Sequence, residues 1–306
     1  MAIDLIKRAA ERLAQGGKQS LVERAVGAAA SEHAALMPAP EAPVGISAPA
    51  EPIAPVQRSS RQVKIDVGHM RLAGMITPGD QNTRIAEEFR IIKRPLLLRA
   101  FNGESRMVVG NNHLIMVTSA RPSEGKTFVS LNLAMSLASE RNLNVLLIDA
   151  DFKHPSLPEN LGIKTDKGLA EVLTEDGLDL SDVILRTDVP NFSFIPAGRP
   201  QALATEHLAS KRMANLVADI ARRYNDRVIV FDAPPVLAST EPSVLALHVG
   251  QIVFVVEAEE TARRAVEEAL THLKACPNIG LVLNKRRSWL GQLQFGTYYG
   301  YPETEE

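Results

Sequence analysis

Between residues 113 and 284 the chain alternates between two patterns. Short runs are apolar at almost every position: "HLIMVTS" (113–119), "NVLLIDA" (144–150), "NFSFIPA" (191–197), "DRVIVFDAP" (226–234), "GQIVFVVEA" (250–258) and "IGLVLN" (279–284). Longer stretches place apolar residues every three or four positions: "KTFVSLNLAMSLASE" (126–140), "ATEHLASKRMANLVADIARRY" (204–224) and "TARRAVEEALTHLKAC" (261–276). The first pattern predicts strands buried on both faces and the second predicts helices. Their alternation predicts an α/β fold, a mostly parallel sheet with helices on both faces. Ligands in such folds bind beyond the carboxyl ends of the strands.

Upstream the pattern changes twice. "TRIAEEFRIIKRPLLLRAF" (83–101) predicts a helix with Ile85, Phe89, Ile92 and Leu96 on one face. Before it, "MPAPEAPVGISAPAEPIAP" carries six prolines between Pro38 and Pro55, which predicts an extended linker with no core of its own. Residues 3 to 36 return to helical spacing, with Ile6, Ala9, Ala10 and Leu13 among charged neighbours and a break at Gly16 and Gly17. The expected organisation is a helical segment over 1–37, a Pro/Ala-rich linker over 38–79, an α/β domain over 80–290 and a tail over 291–306.

Composition excludes several functional classes. Formal net charge is −2, so overall charge does not suggest a nucleic-acid-binding surface. One cysteine, Cys276, rules out a disulfide framework or a cysteine-rich metal site within the chain. The seven histidines form no His-Glu-x-x-His pair. No run approaches the 18 or so apolar residues of a transmembrane helix, and "MAIDLIKRAAERL" is too charged for a secretory signal. A cytoplasmic protein without a membrane span is expected.

The candidate chemistry lies at the strand ends. "ARPSEGKT" (120–127), between a strand and a helix, nearly matches the phosphate-binding loop G-x-x-x-x-G-K-[ST]. Such a loop wraps backbone N–H groups around a phosphate at a helix N-terminus. Gly125 permits close approach, Lys126 reaches the outer phosphates, and Thr127 offers a hydroxyl to Mg²⁺. Ala120 replaces the first glycine, which a negative φ would tolerate. The flanking residues Ser119 and Phe128, with Arg121, Pro122, Ser123 and Glu124, complete the expected nucleotide cradle. Asp149 and Asp151 follow one strand, and Asp232 ends another in "VIVFDAPP". An aspartate after four apolar residues is unfavourable unless it meets a cation or donors. Three of them beside Lys126 and Thr127 suit an Mg²⁺–ATP site.

Taken together, "SARPSEGKT", "LLIDADFKHP" and "VIVFDAPP" closely resemble the Walker A, A′ and B motifs of bacterial tyrosine kinases. "EEFRIIKRPLL", "IPAGRP", "LASKRM" and "LVLNK" resemble further segments of that family, over residues 80 to 301. The string "EEFRIIKRPLL" and the tyrosine-rich end are most similar to autokinases associated with exosortase and exopolysaccharide loci. Three positions depart from the family pattern: Ser123 stands for a glycine, Lys153 for an arginine, and Lys93 for the second arginine of an oligomerisation motif.

The resemblance implies a P-loop fold of the MinD/ParA-like kind and transfer of the γ-phosphoryl group of ATP to tyrosine. It implies Lys126 at the β/γ oxygens, and Thr127, Asp151 and Asp232 at Mg²⁺, directly or through water. Either Asp149 or Asp151 is then the proton acceptor, with Asp149 favoured, and Asn284 the adenine reader. It gives the acceptors as Tyr298, Tyr299 and Tyr301, three of the four tyrosines in the chain, in "FGTYYGYPETEE". The 15 residues from Asn284 to Tyr299 span up to ~50 Å when extended, so this tail can reach its own site or a neighbour's. It further implies a ring-like homo-oligomer joined through Glu87, Arg90 and Lys93. The partner implied is a membrane adaptor of the chain-length-determinant type, which would hold the protein at the inner membrane. Two other readings remain open: a MinD/ParA-like ATPase switch, and a non-catalytic ATP-binding scaffold for polysaccharide machinery.

Overall fold

In the computed structural model the described residues are 61–80, 82–102, 107–199 and 211–286. The expected N-terminal helix, the proline-rich stretch up to 60 and the tyrosine tail lie outside them.

The chain enters the fold through β1 (Arg61–Val63) and α1 (Val67–Leu72), then α2 (Arg84–Ala100). A small hairpin follows, β2 (Phe101–Asn102) with β3 (Met107–Val108). Next come β4 (Leu114–Ser119), α3 (Lys126–Ala138) and β5 (Asn144–Asp149). After short helical turns come β6 (Leu185–Thr187), β7 (Phe192–Ile195), α4 (Lys211–Arg223) and β8 (Arg227–Asp232). Then β9 (Gln251–Glu257), α5 (Arg263–Thr271) and β10 (Ile279–Asn284) complete the described fold.

Eight strands form one sheet in the order β1-β6-β7-β5-β8-β4-β9-β10. The six from β7 to β10 are parallel to one another. At one edge β6 pairs antiparallel to β7, and β1 pairs parallel to β6. The expected mostly parallel sheet is therefore present. Two apolar layers cover its faces, because alternate side chains of each central strand point opposite ways: Leu146 and Ile148 to one, Val145 and Leu147 to the other.

The helix α3 is buried from Val129 to Ala138 because α2 covers the side turned away from the sheet. Thr83 caps α2 by accepting a hydrogen bond from the Ala86 N–H.

The start of the fold needs correction. Residues 61–79 had been expected in the linker, with the folded part starting between 80 and 85. Instead β1 joins the main sheet, and Ile65, Met70, Met75 and Ile76 are buried in the layer beneath α2. A three-residue strand flanked by polar residues carries too little periodicity to register in the sequence.

Candidate active site

The site forms where β4, β5 and β8 end side by side. The P-loop leaves β4, and Asp149 and Asp232 face each other in register at the ends of β5 and β8. The sheet thus brings two carboxylates from distant parts of the sequence onto neighbouring strands.

Backbone geometry shapes the loop. Gly125 has φ +89, and a Cβ there would fall 2.1 Å from the Asn284 side-chain nitrogen. Only glycine meets both demands. Ser123 has φ +68, a left-handed conformation that opposes a Cβ. Ala120 is buried and is not among the positive-φ residues, as its substitution for glycine requires. Glu124 is buried, accepts the Arg121 N–H at 2.7 Å and bonds the Thr261 hydroxyl. The Ser119 hydroxyl donates to the Arg121 carbonyl at 2.8 Å. Arg121, Pro122 and Ser123 are exposed, and Phe128 packs against the core beneath α2.

The charged groups lie close together. The Lys126 ammonium lies 2.8 Å from Asp151. Asp232 accepts the hydroxyls of Thr127 and Ser130, each at 2.8 Å. One oxygen of Asp149 accepts the Asp151 N–H at 3.1 Å; the other, Oδ2, has no hydrogen-bond partner although it is buried. Burial, with the nearby Asp232 charge, pushes the Asp149 pKa well above its ordinary value. Burial also raises Asp232, against the pull of Lys126 and the two hydroxyls. For Lys126 burial acts downward, but the charges of Asp232 and Asp151 outweigh it and the pKa is raised.

Three buried carboxylates face one ammonium, so the pocket carries surplus negative charge that a cation would neutralise. The Thr127 hydroxyl and the Asp232 carboxylate, 2.8 Å apart, fit Mg²⁺, which takes only one or two groups from the protein and keeps waters and substrate phosphates as its other ligands.

Asn284, at the end of β10, donates to the Glu124 carbonyl at 3.0 Å, and Lys285 donates to the Ser123 carbonyl at 2.6 Å. The expected adenine reader thus lies against the P-loop. Ser130 was missed by the sequence reading. Its signal was a second hydroxyl three positions after Thr127, on the same face of α3.

Lys93 requires a correction. It was expected to face a neighbouring subunit with Glu87 and Arg90, but it is buried. Its ammonium reaches the Ser136 carbonyl at 2.6 Å and Glu140 at 2.8 Å. There it caps the C-terminal end of α3, where a cation is favoured. Glu87 and Arg90 are exposed and pair with each other. Tyr298, Tyr299 and Tyr301 lie outside the described residues.

A family model described as an AAA domain matches residues 112–281, more than half of the 306-residue chain. The chain belongs to that family. Its curated relatives are named bacterial tyrosine-protein kinases, as the motifs had suggested. Tyrosine-protein kinase wzc of Salmonella typhimurium is 32% identical over 199 residues, covering 64% of this chain and 27% of that protein. Tyrosine-protein kinase CpsD of Streptococcus agalactiae is 29% identical over 177 residues, covering 57% of this chain and 76% of that protein. Among solved structures, the kinase domain of Escherichia coli tyrosine kinase ETK is 30% identical with a TM-score of 0.57. That match covers 68% of this chain and 80% of the ETK domain. The chain spans about a quarter of the length of the first curated relatives it matches, 27% for wzc. The P-loop fold of this AAA-domain protein implies nucleotide binding. Among its described residues no helix is long and apolar enough to cross a membrane.

Proposed function

We propose that this AAA-domain protein is a protein-tyrosine autokinase that uses ATP and Mg²⁺ and phosphorylates Tyr298, Tyr299 and Tyr301 in trans within a ring-like oligomer. The observation that carries the reading is the convergence of Lys126, Thr127, Asp149, Asp151 and Asp232 at the ends of three adjacent strands. Mg²⁺ would supply charge neutralisation at the transferring phosphoryl group.

Each protein group has a part in that chemistry. Lys126, paired with Asp151 in the nucleotide-free protein, would stabilise charge on the outer phosphates. Thr127 and Asp232, which are hydrogen-bonded to each other, would hold Mg²⁺ together with Asp151. Ser130 orients Asp232 from below. Asp149 accepts the tyrosine proton. Its buried Oδ2, which has no hydrogen-bond partner in the nucleotide-free protein, would take that proton, while the phenol itself titrates near ~10. Asn284 keeps its amide oxygen available for adenine. Assembly through Glu87 and Arg90, and attachment at the inner membrane through a chain-length-determinant-type adaptor in an exopolysaccharide system, belong to the same reading.

Incubation with ATP and Mg²⁺ followed by intact mass tests it. Successive single-phosphate increments that vanish in Lys126→Met and in the triple Tyr→Phe variant are expected. ATP consumption without protein phosphorylation would favour a nucleotide switch. Binding without turnover would favour a scaffold.

A further inference from the structure

The last described strand is unfinished on two sides. β10 pairs only with β9 and forms an edge of the sheet among the described residues. Its residues alternate between two faces. Ile279 and Val282 pack against opposite layers of the core. Leu281 and Leu283, which share one face, are each 60% exposed. A single exposed leucine is ordinary, but two on one face of an unpaired edge strand form a sticky edge of the kind folded proteins cover.

The chain itself supplies a cover. Lys285, directly after β10, has φ +57, so the backbone turns as it leaves the strand. Its ammonium is held by Ser123 and Glu257, the latter at 3.1 Å, so the turn is pinned at the sheet edge. The sequence then runs "SWLGQLQF" over 288–295, with Trp289, Leu290, Leu293 and Phe295 and no charged residue. An uncharged, aromatic segment just past a turn is an unusual composition for a solvated tail.

We propose that residues 289–295 of the same chain fold back over β10 and seat their apolar side chains on Leu281 and Leu283. The tyrosine cluster then has a short tether. Only Gly296 and Thr297 separate Phe295 from Tyr298. From a docked Phe295 the first tyrosine reaches ~10 Å, where an undocked tail from Arg286 reaches ~40 Å. The docking surface thus decides where the tyrosines can be presented. That consequence rests on the kinase reading; the docking itself does not.

Trp289 is the only tryptophan in the chain, which gives the docking its own reporter. In the full-length protein its emission is expected to be blue-shifted and shielded from acrylamide, at all protein concentrations. Leu281→Gln with Leu283→Gln alters exposed positions. It is expected to red-shift the emission and expose the indole while circular dichroism and melting temperature stay near those of the parent. Lys126→Met should keep the shielded signal, which separates this test from the one for phosphoryl transfer. A solvent-like indole in the parent would overturn the proposal. So would shielding that survives the double substitution, or shielding that appears only as concentration rises, the mark of a second copy's segment.

Discussion

Asp149 shows how the site sets function against stability. Its Oδ2 is buried without a partner, and its folded pKa stands well above 3.8 because burial and Asp232 disfavour the charged form. The folded state therefore holds its proton more tightly than the unfolded chain, and stability is lost as pH rises from about 4 through the folded pKa. Asp149→Asn should raise the melting temperature of the nucleotide-free protein at pH 7 and abolish phosphorylation. The gain should shrink toward pH 4; a variant that melts lower than the parent at pH 7 would contradict this account. Ser123 carries a second local strain. Its φ of +68 opposes a Cβ, and Ser123→Gly should stabilise the protein by about 1 kcal/mol in urea unfolding. No gain would mean that the serine hydroxyl offsets the strain. The P-loop and both acidic strand ends were legible in the sequence because each motif is contiguous. The orphaned oxygen of Asp149 was not, since it depends on β5 and β8 ending in register.

At the scale of elements, the long strands were legible because four to six consecutive apolar residues have few other places to go. The short strands β1 and β6 were not, being three residues each with two of the three polar. The helix α2 shows a subtler limit. Spacing put Phe89 and Leu96 on its buried face, but the family resemblance grouped Lys93 with Glu87 and Arg90 as an outward motif. A lysine can enter the core when its ammonium finds acceptors, and here the end of α3 provides them. This separates two roles within one motif. Lys93→Met should destabilise the monomer by about 1–2 kcal/mol, because the buried hydrogen bond to the Ser136 carbonyl and the ion pair with Glu140 are lost, although the Ser139 hydroxyl still donates to that carbonyl. Glu87→Ala should cost less than about 1 kcal/mol, since that pair is exposed. The double Glu87→Ala, Arg90→Ala variant should instead lower the mass seen by light scattering where the unphosphorylated parent oligomerises. Equal unfolding midpoints for Lys93→Met and the parent would show that the buried Lys93 contacts do not support the fold.

For the whole molecule the decisive feature is where β10 ends. Asn284 and Lys285 bond to P-loop carbonyls, so the tail starts at the nucleotide site. Tyr298, Tyr299 and Tyr301 follow close enough along the chain to reach that site or a neighbour's. Tyr224 differs in every respect. It is half-buried at the end of α4, with the Arg227 guanidinium 4.7 Å from its ring centre. Burial raises its phenol pKa, which makes it a poorer source of the phenolate. Each phosphate added to the tail brings a charge of about −1.5 to −2 beside Glu303, Glu305 and Glu306. That charge opposes return to a pocket lined by Asp149, Asp151 and Asp232, so phosphorylation should release tails from neighbouring sites. Replacing the three tail tyrosines with phenylalanine should remove most phosphotyrosine, leave ATP affinity unchanged and favour the associated state by light scattering after incubation with ATP. Peptide mapping that found the phosphate mainly on Tyr224, or on serine and threonine, would overturn the assignment of the tail as acceptor.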